Sequence, residues 1–294
     1  MNGPSFETSG AYRWWYVDAV SHDGRRALVA ILFSGAVFSP YYAARLREGE
    51  PALPDEHAAI HLALYEDGKR VFWTLGERPF PVNASGSEVG LWGSTLTRSG
   101  DRWRLTFDAR WPRALRGEIE LEPEAPPLTE QPILLAPGVA GHLWHGRVPR
   151  ARARVRLHEP DFRFEGRGYH DANGGPEPLE RALRGWVWSR EHAGEATRVH
   201  YDVVARSGER FRHAFGGEPA VENEGARTLW RVQLPAEIGG ARPGPVIESA
   251  PFYARFLLFR GGQTTGMGES LDLARFDLGV VRWMLRWKTR RRAA

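Results

Sequence analysis

The stretch Arg102-Trp-Arg-Leu-Thr-Phe-Asp-Ala109 alternates charged or polar side chains with apolar ones. Successive side chains of a β-strand point to opposite faces of the sheet, so a period of two predicts a strand with one buried and one solvated face. A Ser-Gly turn signal at 99–100 comes just before it. We therefore expect an antiparallel sheet here, with Trp103, Leu105 and Phe107 facing a core.

Comparable runs recur along most of the chain, with turn signals at roughly the 8–12-residue spacing of a barrel or sandwich. Helical periodicity is scarce, because it occurs only as one turn at 179–183 and as a helix at 276–287. The sequence therefore predicts an all-β protein with a short C-terminal helix. The predicted strands are 12–20, 26–33, 57–65, 69–74, 89–96, 102–109, 117–121, 141–148, 151–158, 185–190, 198–205, 210–215, 228–234 and 252–258.

The length of 294 residues allows one large β domain or two ordinary domains, each with its own core. The strands fall into two β halves, and Pro176 and Pro178 lie between them. We expect a boundary near 176–180, with an N-terminal domain at 1–177 and a C-terminal domain at 178–294.

The composition limits the possible chemistry. The chain contains no Cys, which excludes disulfides, a thiolate nucleophile and Cys-ligated metals. Its aromatic content is high, with 12 Trp, 14 Phe and 8 Tyr. Aromatic residues favour β-sheets, and they are also typical of a pocket for a large apolar ligand.

The net charge of +4 comes from the last segment, 281–294, which contains no acidic residue. The rest of the chain is slightly acidic, so a general nucleic-acid surface is not expected. The first residues lack the pattern of a signal peptide, and no apolar run is long enough to span a bilayer. We therefore expect a cytoplasmic protein without a transmembrane segment.

The Gly-rich stretch at 166–175 places Tyr169, His170 and Asp171 in consecutive positions. Its glycines indicate a sharp turn or a close backbone approach, and Asp171 and Asn173 are typical turn residues. The stretch also suits a functional site, because a carboxylate desolvated among aromatic rings can act as a proton donor. Both a hairpin turn and an acid site are compatible with these residues.

Two pairs of residues with i, i+2 spacing strengthen the second interpretation. On strands, His142 and Trp144 share one face, as do Tyr169 and Asp171, whereas His145 points away from His142 and disfavours a metal site. If the pairs meet across neighbouring strands, they combine an acid, an imidazole and two electron-rich rings. Such a set suits protonation of an alkene and stabilisation of the carbocation. Taken alone, His142 or Trp144 is more typical of a packed core.

A series of longer motifs runs in order from near the N-terminus to about residue 190. They are Tyr12-x-Trp-Trp-Tyr-Val-Asp-Ala-Val-Ser-x-Asp-Gly, Phe38-Ser-Pro-Tyr-Tyr, Leu115-Arg-Gly, Pro149-Arg-Ala-Arg, Gly168-Tyr-His-Asp-Ala-Asn, Glu177-Pro-Leu-Glu and Trp186-Val-Trp-Ser-Arg. In these motifs the chain resembles the carotenoid 1,2-hydratases, also called hydroxyneurosporene synthases. The second half resembles the family more weakly.

The resemblance implies a pair of lipocalin-like antiparallel β domains. It also implies cofactor-independent addition of water to the terminal 1,2 double bond of an acyclic carotenoid such as neurosporene or lycopene. The family's functional His-x-Trp and Tyr-x-Asp pairs correspond to His142, Trp144, Tyr169 and Asp171. The family position after Asn173 is usually aromatic, so we expect Gly174 to open the pocket or to alter the preferred end group.

In the mechanism that follows from the resemblance, Asp171 protonates C2 of the terminal double bond and a tertiary cation forms at C1. Trp144 and Tyr169 line the cation, and His142 either deprotonates the added water or orients Asp171. Four further aromatic residues from the shared motifs are expected to contact the substrate: Trp15, Tyr41, Trp186 and Trp188.

The implied substrate is insoluble in water, so we expect peripheral contact with the inner or an intracytoplasmic membrane through the tail at 283–292. Packing of Trp283 and Trp287 on the β domain is the alternative for this tail. Two other functions fit a lipocalin-like fold, namely a carrier of a terpenoid or lipid and a pericyclase or isomerase. The acid favours the hydratase, because a carrier has no need of it and a pericyclase needs shape more than a proton donor.

Overall fold

Strands dominate the computed structural model, which describes residues 6–217, 221–222 and 225–292. Two mainly antiparallel sheets face each other and share a hydrophobic cluster between them, called the shared core below. The all-β prediction is therefore confirmed.

The first sheet has 13 strands and curls into half a barrel. Apolar residues from strands near its two opposite edges lie in one cluster on its inner face. Across the sheet the order is β4-β3-β2-β1-β12-β11-β9-β8-β7-β6-β5, and β10 pairs with β11 outside this order. The strands are β1 (Tyr12–Ser21), β2 (Arg26–Ser34), β3 (Ala58–Glu66), β4 (Lys69–Arg78), β5 (Asn83–Ala84), β6 (Glu88–Leu91), β7 (Ser94–Ser99), β8 (Arg102–Ala109), β9 (Leu115–Pro123), β10 (Ile133–Ala136), β11 (Ala140–Glu159) and β12 (Asp161–Gly175).

The second sheet has six strands in the order β15-β14-β13-β20-β19-β18, and β16 and β17 form a separate pair. A last strand, β21, returns to the first sheet and pairs in parallel with β4. These strands are β13 (Leu183–Ala193), β14 (Ala196–Ala205), β15 (Arg210–Phe215), β16 (Val221–Glu222), β17 (Glu237–Ile238), β18 (Arg242–Ala250), β19 (Tyr253–Arg260), β20 (Gln263–Asp272) and β21 (Arg290–Arg291).

The helices of the described residues are short. α1 begins after Ser39, whose hydroxyl accepts hydrogen bonds from the N–H groups of Tyr41 and Tyr42, as an N-cap does. None of the helices in the described ranges is both long and apolar enough to cross a bilayer. The helices are α1 (Pro40–Arg47), α2 (Leu179–Ala182), α3 (Leu273–Phe276) and α4 (Gly279–Lys288), and a 3-10 turn spans Pro54–His57.

Strand β1 separates two cores. Trp14 and Tyr16 enter the shared core, whereas Trp15 and Val17 enter the cluster inside the curled first sheet. Neighbouring residues of a strand point to opposite faces, so one aromatic-rich strand supplies both clusters.

Near the proposed acid, the turn interpretation is wrong, and two predicted strands are confirmed as parts of one strand. The stretch at 166–175 is the second half of β12 and not a turn. The strands predicted at 141–148 and 151–158 form one long strand, β11, which pairs with β12 through two register shifts. In β12 the glycines do not form a turn but let the backbone of β1 approach closely. A Cβ on Gly166 would lie 2.0 Å from the carbonyl oxygen of Val20.

Other boundaries differ where local patterning is weak. The predicted strand at 89–96 divides into β6 and β7, and the predicted helix at 276–287 divides into α3 and α4. A strand was predicted at 228–234, but a turn lies there, in which Arg231 has a φ of 62°. Helix α1 and strands β18 and β20 were not predicted.

The predicted domain boundary at 177/178 falls between the end of β12 and the start of β13, where the chain passes from the first sheet to the second. Both sheets contribute to the shared core, and β21 returns to the first sheet. The division into domains 1–177 and 178–294 therefore stays a prediction.

Candidate active site

Strands β1 and β13 lie opposite each other across the shared core. Every second residue of β1 contacts every second residue of β13, which gives three successive layers. The first two layers are aromatic, with ring centroids 6.5 Å and 5.4 Å apart, and the third is a buried ion pair. The layers are Trp14–Trp186, Tyr16–Trp188 and Asp18–Arg190.

Asp171 lies in the middle of the shared core and is 2% exposed. Tyr169, Asp171 and Asn173 share one face of β12, and β11 places Trp144 opposite Asn173. The indole N–H of Trp144 and the phenol of Tyr169 both donate to Oδ2 of Asp171, at 2.9 Å and 2.8 Å. The amide of Asn173 donates to Oδ1 at 2.8 Å. The structure thus brings three of the four predicted catalytic residues into direct contact.

Burial raises the pKa of the Asp171 carboxyl from 3.8 to about 7, although the hydrogen bonds from Trp144 and Tyr169 act in the opposite direction. The negative charges of Glu269 and Asp18 add to the increase. All three donors to the carboxyl are neutral, whereas a cation would favour its ionised form strongly. Asp171 can therefore hold a proton near neutral pH.

The fourth predicted residue, His142, lies in the same core but bonds to a different partner. Its Nδ1 is 2.8 Å from the hydroxyl of Tyr12. Its ring is stacked with Trp14 and Trp186, with centroids 5.3 Å and 5.8 Å away. Burial lowers the pKa of His142 to about 3, so the imidazole is neutral. Its buried Nε2 has no hydrogen-bond partner among the residues that the structure describes.

Of the aromatic residues predicted to contact substrate, Trp186 and Trp188 lie in the shared core, and Trp188 is 5.5 Å from the ring of Tyr169. Trp15 lies on the opposite face of β1, inside the first sheet, because it alternates with Trp14 and Tyr16. Tyr41 lies on α1 beside the guanidinium groups of the C-terminal segment. The structure therefore does not bring Trp15 or Tyr41 to Asp171.

Gly174 does not open the site. It follows Asn173 and so faces away from Asp171, where an added Cβ would lie 2.8 Å from the ring of Phe6. His170 also faces away, with its Nδ1 2.9 Å from the carbonyl oxygen of Tyr16. The local alternation of β12 explains both positions.

Sequence reasoning did not assign Asn173, Tyr12 or Tyr16 to the site. Asn173 continues the alternation of Tyr169 and Asp171, and the two tyrosines continue that of Trp14, so the period of two was the available signal. Among the described residues, no group of three or more His, Asp or Glu side chains could hold a metal ion.

With this geometry established, comparison with known proteins gives the family. The family model for carotenoid hydratase CrtC matches residues 30–294. The chain belongs to the carotenoid hydratase family. The match includes Asp171 and the three residues that donate hydrogen bonds to it, whereas β1, with Tyr12, Trp14 and Tyr16, precedes its first residue.

Similar proteins agree with this assignment. An acyclic carotenoid 1,2-hydratase of Thiocapsa roseopersicina is 38% identical over 96% of this chain and 74% of the relative, and one of Rubrivivax gelatinosus is 37% identical over 97% and 74%. Among solved structures, an AttH candidate from Nitrosomonas europaea aligns with a TM-score of 0.60 at 14% identity, covering 89% of this chain and 92% of that one. At that identity the likeness concerns the fold alone.

Proposed function

We propose that this protein adds water to the terminal 1,2 double bond of an acyclic carotenoid and is thus a hydro-lyase. Its family and its relatives in Thiocapsa roseopersicina and Rubrivivax gelatinosus support the reaction class. One observation carries the chemical argument: the buried carboxyl of Asp171, whose pKa is about 7, lies among aromatic rings and accepts hydrogen bonds from three neutral donors.

In the first step Asp171 acts as the general acid. Oδ2 accepts two hydrogen bonds and Oδ1 accepts one, so we assign the acid proton to Oδ1. Transfer of the proton to C2 uses the π electrons of the double bond and leaves a tertiary cation at C1. The donors from Trp144, Tyr169 and Asn173 then stabilise the new carboxylate.

The rings of Tyr169 and Trp188 provide π faces for the cation. In a site closed to water, a cation–π contact contributes about 2 kcal/mol or more, and the carboxylate formed nearby adds electrostatic stabilisation. The aromatic layers of the shared core therefore suit the charge that develops.

In the second step a water molecule bonds to C1 through an oxygen lone pair. His142 is neutral and its Nε2 has no partner in the described part of the chain, so it can accept a proton from the protonated alcohol, which is a far stronger acid than water. The proton then returns to Asp171 through the site, and the net reaction is addition of one water. The bond from His142 to Tyr12 supports this role over direct orientation of Asp171.

The test is incubation of the purified protein with lycopene, anaerobically and without added cofactors, in D₂O enriched in ¹⁸O. We expect a product heavier by one labelled water, with deuterium on C2 and ¹⁸O on C1, and no product with heat-denatured protein. Recovery of bound but unaltered lycopene would support a carrier instead, and a rearranged product of unchanged mass would support an isomerase.

Peripheral membrane contact is the second part of the proposal. The outer face of α4 exposes Val280, Trp283 and Trp287, with Trp287 71% exposed, and basic residues surround them. Trp favours the headgroup region, and each cation near an anionic surface contributes about 1 kcal/mol.

We expect the double variant Trp283→Ser/Trp287→Ser to reduce co-sedimentation with anionic liposomes at least tenfold. The matched control is Trp230→Ser, since Trp230 is 41% exposed but lies outside α4. Equal co-sedimentation of the double variant and the wild type would remove α4 from membrane binding.

A further inference from the structure

A second apolar space lies beside the acid site. This cavity, of about 120 Å³, is enclosed by β2–β4 of the first sheet, by β18–β20 of the second sheet and by α4. Its lining is mainly apolar and includes Ile31, Leu75, Ala250, Phe252 and Leu285. The catalytic residues discussed above do not line it.

At one corner of the cavity, charged and polar side chains bond to one another. Arg255 donates to Glu248 at 2.9 Å and to Glu269 at 2.8 Å, and Glu248 also accepts from Tyr65 and Trp73 of the first sheet. Opposite charges therefore compensate each other there. These bonds join the two sheets across the cavity, and the remaining surface suits a hydrocarbon.

The aromatic rings of Tyr16 and Trp188 lie between the residues that line the cavity and Asp171. On β1, Tyr16 is the register partner of Ile31, which lines the cavity, and also of Asp171. On the second sheet, Trp188 is the register partner of Glu269, which lines the cavity. The rings of Tyr16 and Trp188 contact each other with centroids 5.4 Å apart.

Tyr16 is held weakly on its polar side. Its hydroxyl donates to the sulfur of Met267 at 3.7 Å, and a thioether is a weak acceptor. Rotation of the ring would therefore break no strong hydrogen bond. Because Asp171 is 2% exposed, some side chain must move before a substrate reaches it.

Helix α4 connects this cavity with the exterior. Leu285 and Lys288 line the cavity, whereas Trp283 and Trp287 on the same helix are exposed. One helix thus has a face towards the cavity and a face that suits a membrane.

We propose that this cavity binds the terminal isoprenoid segment of the substrate and that Tyr16 is the gate through which the terminal double bond reaches Asp171. The inference rests on the proposed function for the identity of the ligand. The volume is about four times the ~30 Å³ that a water molecule occupies in the liquid, which is space for a few carbon atoms. The end of the chain therefore enters beneath α4, and the rest of the polyene stays in the bilayer.

Binding is tested separately from chemistry in an Asp171→Asn background, by quenching of Trp fluorescence when lycopene is added in vesicles. Ala250→Phe fills the cavity and should weaken binding at least tenfold, whereas the control Ala196→Phe, on an exposed position of β14, should leave it unchanged. If Ala250→Phe fails to fold by circular dichroism, Ala250→Leu should weaken binding by a smaller factor.

The gate is tested by kinetics in the protein with Asp171 intact. Tyr16→Trp should lower kcat at least tenfold with little change in KM, because the outer cavity still binds the chain while the larger ring obstructs passage. The control Ala196→Phe, which also enlarges a side chain but at the exposed position on β14, should keep kcat within about twofold of the wild type.

The outcomes separate the two proposals. Wild-type binding and hydration by Ala250→Phe would overturn the cavity assignment and leave the proposed function intact. Wild-type kcat in Tyr16→Trp would overturn the gate. If wild-type protein binds lycopene but never hydrates it, the proposed function fails, while the binding comparison still decides whether the cavity holds the chain.

Discussion

Two carboxyl groups lie within the same core on adjacent strands, and they differ in the charge of their partners. Asp18 is fully buried and forms an ion pair with Arg190, whose Nε lies 3.2 Å from Oδ2. Asp171 is almost as buried, but its three hydrogen-bond donors among the described residues are neutral indole, phenol and amide groups. Equal burial thus gives a structural ion pair in one case and a proton-carrying acid in the other.

The largest expected effect comes from removing the acid. Asp171→Asn keeps the shape of the side chain and should lower hydration of lycopene roughly 10²–10⁴-fold, which is the usual contribution of a general acid. Product formation measured by mass spectrometry, with circular dichroism as the folding control, tests this. Near-normal turnover by the variant would disprove the role of Asp171.

The matching change in the ion pair should affect stability. Arg190→Met leaves Asp18 buried without its cation, which should lower the free energy of unfolding by about 3–5 kcal/mol, measured by urea denaturation. The double variant Asp18→Asn/Arg190→Met should recover much of this loss. Equal stability of Arg190→Met and the wild type would show that the pair contributes little.

The pH dependence of activity and of stability tests the protonation of Asp171. Since Asp171 must be protonated to act, kcat/KM should fall about tenfold per pH unit above the pKa of about 7 that Asp171 has in the free protein. The raised pKa also makes a stabilising contribution that is complete below the ordinary value of 3.8 and is lost as pH rises through about 7. In Asp171→Asn this part of the stability profile should be absent. An activity profile that stays flat up to pH 9 would contradict the assignment.

The smallest effect concerns the neutral donors. Trp144→Phe removes one hydrogen bond to the carboxylate, and such a bond contributes about 1.5–3 kcal/mol, equivalent to about 1–2 pKa units. The alkaline limb of the kcat/KM profile should therefore move to higher pH. The control Trp186→Phe changes an aromatic residue without a bond to Asp171 and should leave the limb in place. A limb that moves equally in both variants would point to general loosening of the core.

The alternation of polar and apolar side chains predicted most of the strands of this protein. It identified the strands around Trp103 and the shared face of Tyr169 and Asp171, because alternation is a local property of the backbone. The same alternation places Trp15 on the face opposite to the site. We chose Trp15 because it belongs to a shared motif, and that choice overlooked the alternation. The hydrogen bond between His142 and Tyr12, the opposition of β1 and β13 and the cavity beneath α4 depend on how distant segments meet, which local patterning does not specify.

Glycine was the main source of error in the local predictions. The glycines of 166–175 suggested a turn, whereas they let β12 lie close to β1 and β11. In β20, which was not predicted, Gly266 also allows close approach, because a Cβ would lie 2.0 Å from the carbonyl oxygen of Arg190. Close packing of strands and sharp turns both require glycine, so composition alone does not separate them.

The contacts of β21 and of the residue after it with the first sheet bear on how the protein is best produced. Arg291 bonds to His57 at 2.8 Å and to buried Glu77, and the N–H of Arg292 donates to the carbonyl oxygen of Glu77. An affinity tag attached after residue 294 would follow these contacts within a few residues. A preparation that shows no activity with such a fusion should be assayed again after the tag has been cleaved.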